Sequence, residues 1–241
     1  MSYLIEIATT DFATTRLAVA GGADRIELCS ALSEGGLTPS FGMLRLCREQ
    51  FGVALFSIIR PRGGDFRYSG EELAIMEEDI RRSKELGCDG IVVGMLKKDG
   101  TLPRKKLAHF VELAWPMEVT FHRAFDRCRD PFEALEDLIE LGFQRILTSG
   151  QQLTAPEGAS LIAQLVKAAG ERIVIMPGSG VRPDNIKALA EQTGAFEFHS
   201  SLRSRVESTM EFRHPSFPEK DFQLDAIDPE EVRLLRQNLA S

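Results

Sequence analysis

Short, nearly continuous apolar runs alternate along the chain with longer stretches in which apolar residues recur at helical spacing. Runs without polar alternation are typical of strands that are covered on both faces of a parallel sheet. The runs predicted as strands are Tyr3–Ala8, Arg25–Cys29, Ala54–Arg60, Gly90–Leu96, Glu118–Phe125, Arg145–Ser149, Arg172–Pro177 and Phe196–Ser200.

The stretches between these runs carry the usual signals of helix starts. Ser69 is followed three positions later by Glu72, a capping box that opens a helix running to Leu86. Asp130 precedes a proline, which places an N-cap carboxylate before a proline in the first helical turn. Eight strands that are each followed by a helix predict a single α/β domain over residues 1–241, a (β/α)8 TIM barrel.

One segment, Leu202–Ile227, interrupts this alternation because its apolar residues have no clear period. It contains several arginines and two prolines, and it lies between the eighth strand and the last helix. We expect a long loop there, of a length that is usually functional or partly disordered.

Charge and composition exclude several classes of partner. The chain has 29 Lys and Arg against 36 Asp and Glu, a net charge of −7, which argues against a nucleic-acid partner. No apolar run is long enough to cross a membrane, and the N-terminal residues do not resemble a signal peptide. We therefore expect a cytoplasmic protein with no membrane partner. Its cysteines, which form no CxxC pair, are predicted to be free thiols.

In a β/α barrel the site is built at the C-terminal ends of the strands, so polar residues at those ends are candidates for chemistry. Glu27 near the end of the second strand and His122 in the fifth are the candidate acid–base residues. An imidazole or a carboxyl group can exchange protons near neutral pH when its surroundings shift its pKa. His122 is also compatible with a metal ligand or with an ordinary buried histidine.

Three arginines follow strands and are candidates for binding an anion. Arg60 and Arg62 flank a proline after the third strand and precede two glycines, and Arg123 follows His122. Forked guanidinium groups and oriented backbone amides favour a phosphate or a carboxylate. The alternative is a solvated loop held together by a local ion pair.

The last strands end in small polar residues and glycines. In this fold the loops after strands seven and eight frequently bind phosphate, although they are equally compatible with tight strand-to-helix connections. The candidate ligand-binding residues in these positions are Ser149, Gly178, Gly180, His199, Ser200 and Ser201.

Cys29 ends the second strand, two residues beyond Glu27, so both side chains are predicted to share a face. A thiol at the mouth of a barrel is a suitable ligand for soft Cu(I). Neither a methionine nor a second cysteine is adjacent in sequence, and a small buried hydrophobic residue is the alternative interpretation.

Taken together, these motifs resemble the CutC family of copper homeostasis proteins. The segments that carry the resemblance are residues 22–29, 34–40, 59–66, 120–126, 147–150 and 197–200. The resemblance implies a β/α barrel, a cytoplasmic location, copper as cofactor or cargo and, commonly, a homo-oligomer. It also implies that Cys29 is the thiol associated with copper.

Two functions follow from this chain. The resemblance implies a copper-binding protein that uses Cys29, with His122 or His199 as further ligands. The residues themselves favour a lyase, isomerase or hydrolase that acts on a small phosphorylated or carboxylated compound, with Glu27 and His122 as acid and base and the three arginines as anion clamps.

A barrel kept only for contacts with partners is a third hypothesis, but it leaves the charged strand ends unexplained. The enzyme hypothesis requires Glu27, Arg60 and His122 to converge at one end of the barrel.

Overall fold

The computed structural model describes residues 3–240, and its centre is a sheet of eight parallel strands. Neighbours pair in the order β7-β6-β5-β4-β3-β2-β1-β8, and β7 and β8 at the two ends lie side by side. The predicted TIM barrel is thereby confirmed. The strands are β1 (Leu4–Thr9), β2 (Arg25–Leu28), β3 (Ala54–Ile58), β4 (Gly90–Val93), β5 (Glu118–Phe121), β6 (Arg145–Thr148), β7 (Val174–Pro177) and β8 (Glu197–Ser200).

Helices follow the strands and pack on the outer face of the barrel through apolar side chains. The capping box is present: Ser69 Oγ accepts the Glu72 N–H at 3.2 Å, and the Glu72 carboxylate accepts the Ser69 N–H at 2.7 Å. No helix in residues 3–240 has both the length and the apolarity needed to cross a lipid bilayer. The helices are α1 (Phe12–Ala20), α2 (Phe41–Gln50), α3 (Gly70–Glu85), α4 (Arg104–Ala114), α5 (Pro131–Glu140), α6 (Ala159–Ala169), α7 (Ile186–Thr193) and α8 (Pro229–Ala240).

The lower interior of the barrel is charged rather than apolar. Arg25, Arg145 and Glu197 are each the first residue of a strand, and all three are buried. Glu197 accepts hydrogen bonds from Arg25 at 2.7 Å and from Arg145 at 2.6 Å, and Arg25 also pairs with Glu6 on β1. The two guanidinium groups lie 5.0 and 5.5 Å from the centre of the Phe56 ring. We call Glu6, Arg25, Arg145 and Glu197 the lower charged layer.

Strand β5 ends at Phe121, four residues before the predicted end at Phe125. His122 turns the chain because its ring Nδ1 accepts the Ala124 N–H at 3.1 Å, and a 3-10 turn follows. The buried carboxylate of Asp126 fixes that turn by accepting hydrogen bonds from the end of β6. The loop at this part of the mouth is therefore longer than the sequence pattern predicts.

The segment predicted as a long loop is partly organised. It contains an antiparallel hairpin of β9 (Arg203–Glu207) and β10 (Gln223–Ile227). The residues between these strands include a 3-10 turn over Glu219–Phe222. Both strands lack regular apolar alternation because β9 is exposed along its whole length, so the pattern along the chain does not reveal them.

Candidate functional site

A cavity of about 1040 Å³ opens at the C-terminal end of the barrel. Its walls are the loops that follow β2 to β5, β7 and β8, where sites of this fold lie. Glu27, Arg60 and His122, the three residues predicted to converge, all line it. The other predicted residues in its wall are Arg123, Gly180, His199, Ser200 and Ser201. Those outside the wall are Cys29, Arg62, Ser149 and Gly178.

His199 lines the cavity and is paired with a fully buried carboxylate outside the cavity wall. Glu6 is fully buried and lies 2.7 Å from His199 Nδ1, and its other oxygen pairs with Arg25. Burial alone would raise the pKa of Glu6, but Arg25 and His199 outweigh it and hold that pKa well below its usual range. Glu6 is thus an ionised carboxylate that accepts the Nδ1 proton, and His199 presents Nε2 to the cavity.

The sequence pattern places Glu6 among the polar residues near strand ends but assigns it no role, and the structure places it in the middle of β1 rather than at its end. The signal that reveals it is the pairing of β1 with β8, which places Glu6 opposite His199. These two residues are 193 positions apart in sequence, so the contact depends on closure of the barrel.

Glu27 is the group whose proton affinity is best matched to neutral pH. Its Oε2 is buried and has no hydrogen-bond partner among residues 3–240, although His199 Nδ1 lies 3.6 Å away. Burial is the main cause that raises the pKa of Glu27 to about 7, and the neighbouring Glu6 adds to it against the opposing charge of His199. The same carboxylates raise the pKa of His199, against the effect of its own burial.

His122 is buried in its neutral form. Because Nδ1 accepts the Ala124 N–H, the ring proton is on Nε2. That Nε2 has no partner in the described part of the chain. Burial and the nearby charge of Arg60 lower the pKa of His122 to about 3. A neutral imidazole that points an N–H into a cavity is suited to donating to a carbonyl oxygen or an oxyanion.

Arg60 is a buried positive charge without a counter-ion. Its guanidinium donates to the backbone carbonyls of Glu34 at 2.5 Å, Gly36 at 3.1 Å and Gly64 at 3.0 Å, and it stacks on Phe66. Its Nε has no partner, and no carboxylate in residues 3–240 is within ion-pairing distance of it. A buried charge in this state is stabilised when an anion joins it.

The other two candidate arginines are already engaged by the protein. Arg62 pairs with Glu72 on α3 at 2.5 Å and does not line the cavity. Arg123 lines the cavity, but it pairs with Asp126 at 2.8 Å and donates to Ser149 Oγ at 2.7 Å. Ser149 therefore orients Arg123 rather than meeting a ligand itself.

The loop after β7 has a constrained backbone. Ser179 and Gly180 both have positive φ, at 78° and 74°, and Ser179 Oγ donates to a carbonyl of the preceding loop. Ser200 Oγ donates to the Val181 carbonyl at 2.7 Å, so the β8 end holds this loop in place. The N–H groups of Gly180 and Val181 donate to no acceptor within residues 3–240. Gly178 serves packing, because a Cβ there would lie 2.4 Å from a leucine side chain.

The surroundings of Cys29 do not fit a copper ion. The thiol is buried in an apolar cluster with Phe56, Ile58 and Val92, and its sulfur lies 3.4 Å from the Thr9 carbonyl oxygen. Burial is the main cause that raises the pKa of this thiol far above its usual value, whereas a metal ligand must be a thiolate. Neither a methionine nor a second cysteine belongs to this cluster.

The described residues contain one group of three side chains that lie close enough to share a metal ion: Glu6, Glu27 and His199, with ligand atoms within 4.8 Å of one another. Carboxylate oxygens are not the donors that Cu(I) prefers. Both oxygens of Glu6 are moreover already engaged, one by Arg25 and one by His199. This group does not fit copper either.

The fold and the charged mouth define a TIM-barrel protein whose site lies at the C-terminal ends of the strands. The model of the CutC family matches residues 3–204. A family protein CutC from Chromobacterium violaceum is 49% identical over 213 residues, 88% of this chain and 86% of that protein. The human copper homeostasis protein cutC homolog is 47% identical over 214 residues, 89% of this chain and 78% of that protein. This chain belongs to the CutC family.

Solved structures agree with this assignment. The crystal structure of a copper homeostasis protein CutC from Streptococcus agalactiae superposes with a TM-score of 0.78 at 34% identity, over 83% of this chain and 98% of that one. A phosphoribosylanthranilate isomerase from Thermotoga maritima superposes with a TM-score of 0.60 at 13% identity, over 100% of this chain and 99% of that one. That second likeness shows the barrel fold alone.

Proposed function

We propose that this protein binds a small phosphorylated or carboxylated compound at the barrel mouth and moves a proton next to a carbonyl group, as isomerases and lyases do. One observation carries the proposal: Glu27 Oε2, Arg60 Nε and His122 Nε2 are buried without partners, and all three residues line the same cavity. A buried polar group left unsatisfied costs about 1–3 kcal/mol, and a charged one costs more. A ligand that supplies an anion, an acceptor and a proton source satisfies all three.

Each group has a distinct part in the reaction. The Glu27 carboxylate takes a proton from the carbon next to the carbonyl, the electron pair of that C–H bond forms a C=C bond, and the π pair of the carbonyl moves onto its oxygen. The neutral His122 donates its Nε2–H to that oxygen as negative charge develops on it. In an isomerase of an α-hydroxy carbonyl compound, the substrate's hydroxyl proton passes to the former carbonyl oxygen, and Glu27 returns its proton to the former carbonyl carbon. In a lyase, a group on the next carbon departs with its bonding electron pair as the carbonyl forms again. A base with a pKa of about 7 suits this role near neutral pH.

Arg60 anchors the substrate beside these groups. Its guanidinium donates to backbone carbonyls and stacks on Phe66, and its Nε–H has no partner within residues 3–240 and is available to a phosphate or carboxylate oxygen. Burial keeps His122 neutral and the nearby charge of Arg60 adds to that effect, which preserves the donor. Substrate binding and the choice of proton donor thus depend on the same arginine.

The rival function is binding of Cu(I) at Cys29. Relatives are named copper homeostasis proteins, so copper homeostasis describes the family. The buried thiol outside the cavity wall favours small-molecule chemistry over capture of the metal by this chain. A cytoplasmic location and a homo-oligomer, which the family resemblance implies, stay predictions.

A thermal-shift screen tests the proposal. Phosphorylated and carboxylated metabolites are compared with sodium chloride at matched ionic strength, on the wild type, Arg60→Gln and Arg62→Gln. Arg62 is the matched control because it lies two residues away and outside the cavity wall. We expect at least one anion to raise the Tm of the wild type and of Arg62→Gln but not of Arg60→Gln. The absence of any anion-specific shift in the wild type, or an equal shift in Arg60→Gln, contradicts the proposal.

The chemistry has a separate readout. The stabilising compound is incubated with protein in D2O, and NMR follows deuterium entering the carbon next to its carbonyl. We expect exchange with the wild type and none with Glu27→Gln, which keeps the shape of the side chain but cannot take the proton. Equal exchange in both proteins contradicts the role of Glu27.

A further inference from the structure

The arginines without an ion-pair partner are concentrated at the cavity. Within residues 3–240 they are Arg16, Arg60, Arg67, Arg127 and Arg203, and all but Arg16 line the cavity. Every other arginine of the chain pairs with a carboxylate, as expected where acidic residues are in excess. The cavity therefore holds positive charge that the protein does not neutralise.

These charges fall into two groups on the cavity rim. The first follows β3, β4 and β5, and we call Arg67, Lys97, Lys98 and Arg127 the β3–β5 rim. None of these four side chains has a carboxylate within ion-pairing distance in the described part of the chain. All four are exposed, so they meet solvent or a ligand rather than the protein core.

The second group follows β7 and β8, and we call Gly180, Arg182, Ser201 and Arg203 the β7–β8 rim. Arg203 is unpaired, and Arg182 is 3.5 Å from Glu231, a half-exposed pair that is weak in water. The Gly180 N–H has no acceptor in residues 3–240, so this rim offers a backbone donor beside its charges.

The two rims face each other across the mouth. In the order of the eight-stranded sheet, β4 and β8 are four strands apart, which is half of the circumference of the barrel. Glu27 lies on β2, His122 directly follows β5 and His199 lies on β8, and all three line the same cavity as the two rims. Lys97 and Lys98 after β4 and Arg203 after β8 therefore follow strands on opposite sides of the barrel, and they form two separate groups of charge around one cavity.

The acidic residues of the wall do not cancel these charges. Apart from Glu27, the carboxylates of the cavity wall are Glu34 and Asp65. Asp65 is engaged by Arg62 at 3.0 Å, and Arg62 lies outside the wall. The balance around the cavity is therefore positive in a chain whose net charge is −7.

We infer that the substrate carries two anionic groups at opposite ends of a short carbon chain, one bound by each rim, with the reacting carbonyl between them above Glu27 and His122. This inference rests on the proposed function and narrows its substrate class to bis-anionic compounds. A cavity of about 1040 Å³ is large enough for a molecule of the size of a sugar bisphosphate.

Calorimetric titration with linear probes tests the inference. Monophosphates and bisphosphates of unbranched alkanediols with three to about eight carbons are compared at fixed ionic strength, since linking two anions raises affinity only when the linker matches the span. We expect the best bisphosphate to bind at least tenfold tighter than the monophosphate of equal length. Equal affinity at every length overturns the inference.

Substitutions in each rim test whether that rim binds one of the two phosphates. We expect Lys97→Gln/Lys98→Gln and Arg203→Gln each to reduce bisphosphate affinity to that of the monophosphate. The matched controls are Lys105→Gln/Lys106→Gln on α4 and Arg205→Gln on β9, whose exposed side chains lie outside the cavity wall and are expected to leave the affinity unchanged. An effect of one rim without the other overturns the inference.

The outcomes also separate this inference from the proposed function. Binding of monophosphate that depends on Arg60, with no gain from a second phosphate, overturns the bis-anionic substrate and leaves the single-anion proposal intact. Folded wild-type protein that binds neither class of probe contradicts both.

Discussion

Two sets of buried charges lie within the same barrel, one above the other, and they differ in how they are satisfied. In the lower charged layer, Glu197 is shared between Arg25 and Arg145, and Arg25 also holds Glu6. Every charge there has a partner of opposite sign, none of the four residues lines the cavity, and Glu6 contacts His199 of the cavity wall.

At the mouth the arrangement is the opposite. Glu27, Arg60 and His122 are as buried as the lower layer, yet each keeps an atom without a partner. Burial of a polar or charged group is costly in both places, but the lower layer offsets that cost with close ion pairs, whereas Arg60 has no carboxylate partner within residues 3–240 and Glu27 has only His199 at 3.6 Å. The comparison teaches that pairing, rather than burial, separates charges that hold the barrel together from charges that await a ligand.

Two isosteric substitutions of glutamate test this difference with the largest expected effect. Glu197→Gln removes the carboxylate shared by two buried arginines, so we expect a loss of about 3–5 kcal/mol in the free energy of unfolding. Glu27→Gln removes a charge that lacks a hydrogen-bond partner on Oε2, so we expect no loss at pH 7. Urea denaturation of both variants is the measurement, and equal losses contradict the distinction between the two layers.

The stability of the mouth is expected to depend on pH through Glu27. Its folded pKa of about 7 lies above its unfolded value, so the proton is bound more tightly in the folded state. The stabilisation of the folded state by this bound proton is complete below the unfolded pKa of Glu27. It is lost as pH rises through about 7, which lowers the free energy of unfolding by up to about 3 kcal/mol. Unfolding curves of wild type and Glu27→Gln between pH 5 and 8 measure it. The wild type is expected to lose stability relative to Glu27→Gln as pH rises. The raised pKa is contradicted if the difference in free energy of unfolding between the two proteins does not depend on pH, or if it shifts in favour of the wild type as pH rises.

The anion affinity of the mouth is expected to depend on Arg60. A charge-assisted hydrogen bond contributes about 1.5–3 kcal/mol, so Arg60→Gln should weaken a bound phosphorylated compound by roughly 10- to 100-fold. Arg62→Gln should retain wild-type affinity because its guanidinium pairs with Glu72 outside the cavity. Calorimetry on the compound selected by the thermal screen gives both constants, and equal weakening in the two variants would place the anion elsewhere.

The smallest effect is expected for copper. Because Cys29 is buried in an apolar cluster, Cys29→Ser and Cys47→Ser should take up the same amount of Cu(I) per chain as the wild type under anaerobic reducing conditions. Metal analysis after gel filtration measures the stoichiometry. A selective loss in Cys29→Ser would instead support copper binding at that thiol.

Much of the barrel could be predicted because its strands are covered on both faces and therefore appear in the sequence as apolar runs. The predicted ends of β3, β4 and β5 extend too far, since apolar residues such as Ile59, Met95 and Phe125 continue past each strand and are buried by the mouth loops. The β9–β10 hairpin was not predicted for the converse reason: β9 is exposed along its whole length and β10 buries only Ile227, so the backbone pairs without an apolar run to mark it.

Site residues could be predicted where position near the end of a strand is enough to bring a side chain to the cavity, as for Glu27, Arg60 and His122. They could not be predicted where a role depends on a partner. Glu6 acquires its role from His199 only when β8 closes on β1, and Arg62 is removed from the cavity by Glu72 on the following helix. Sequence position selects candidates at a strand end, but three-dimensional pairing decides which of them stay free.

The central claim is that the mouth presents unsatisfied groups to an anionic ligand, and the Nε2–H of His122 reports on it most directly. In protein labelled with 15N at histidine, the His122 signals are assigned by their loss in His122→Asn. We predict a neutral ring with its proton on Nε2 throughout pH 5–8, and a change in the Nε2–H shift when the compound selected by the thermal screen saturates the protein. A ring that titrates with a pKa near 6.5, or an Nε2–H signal unmoved at saturation, would contradict the account.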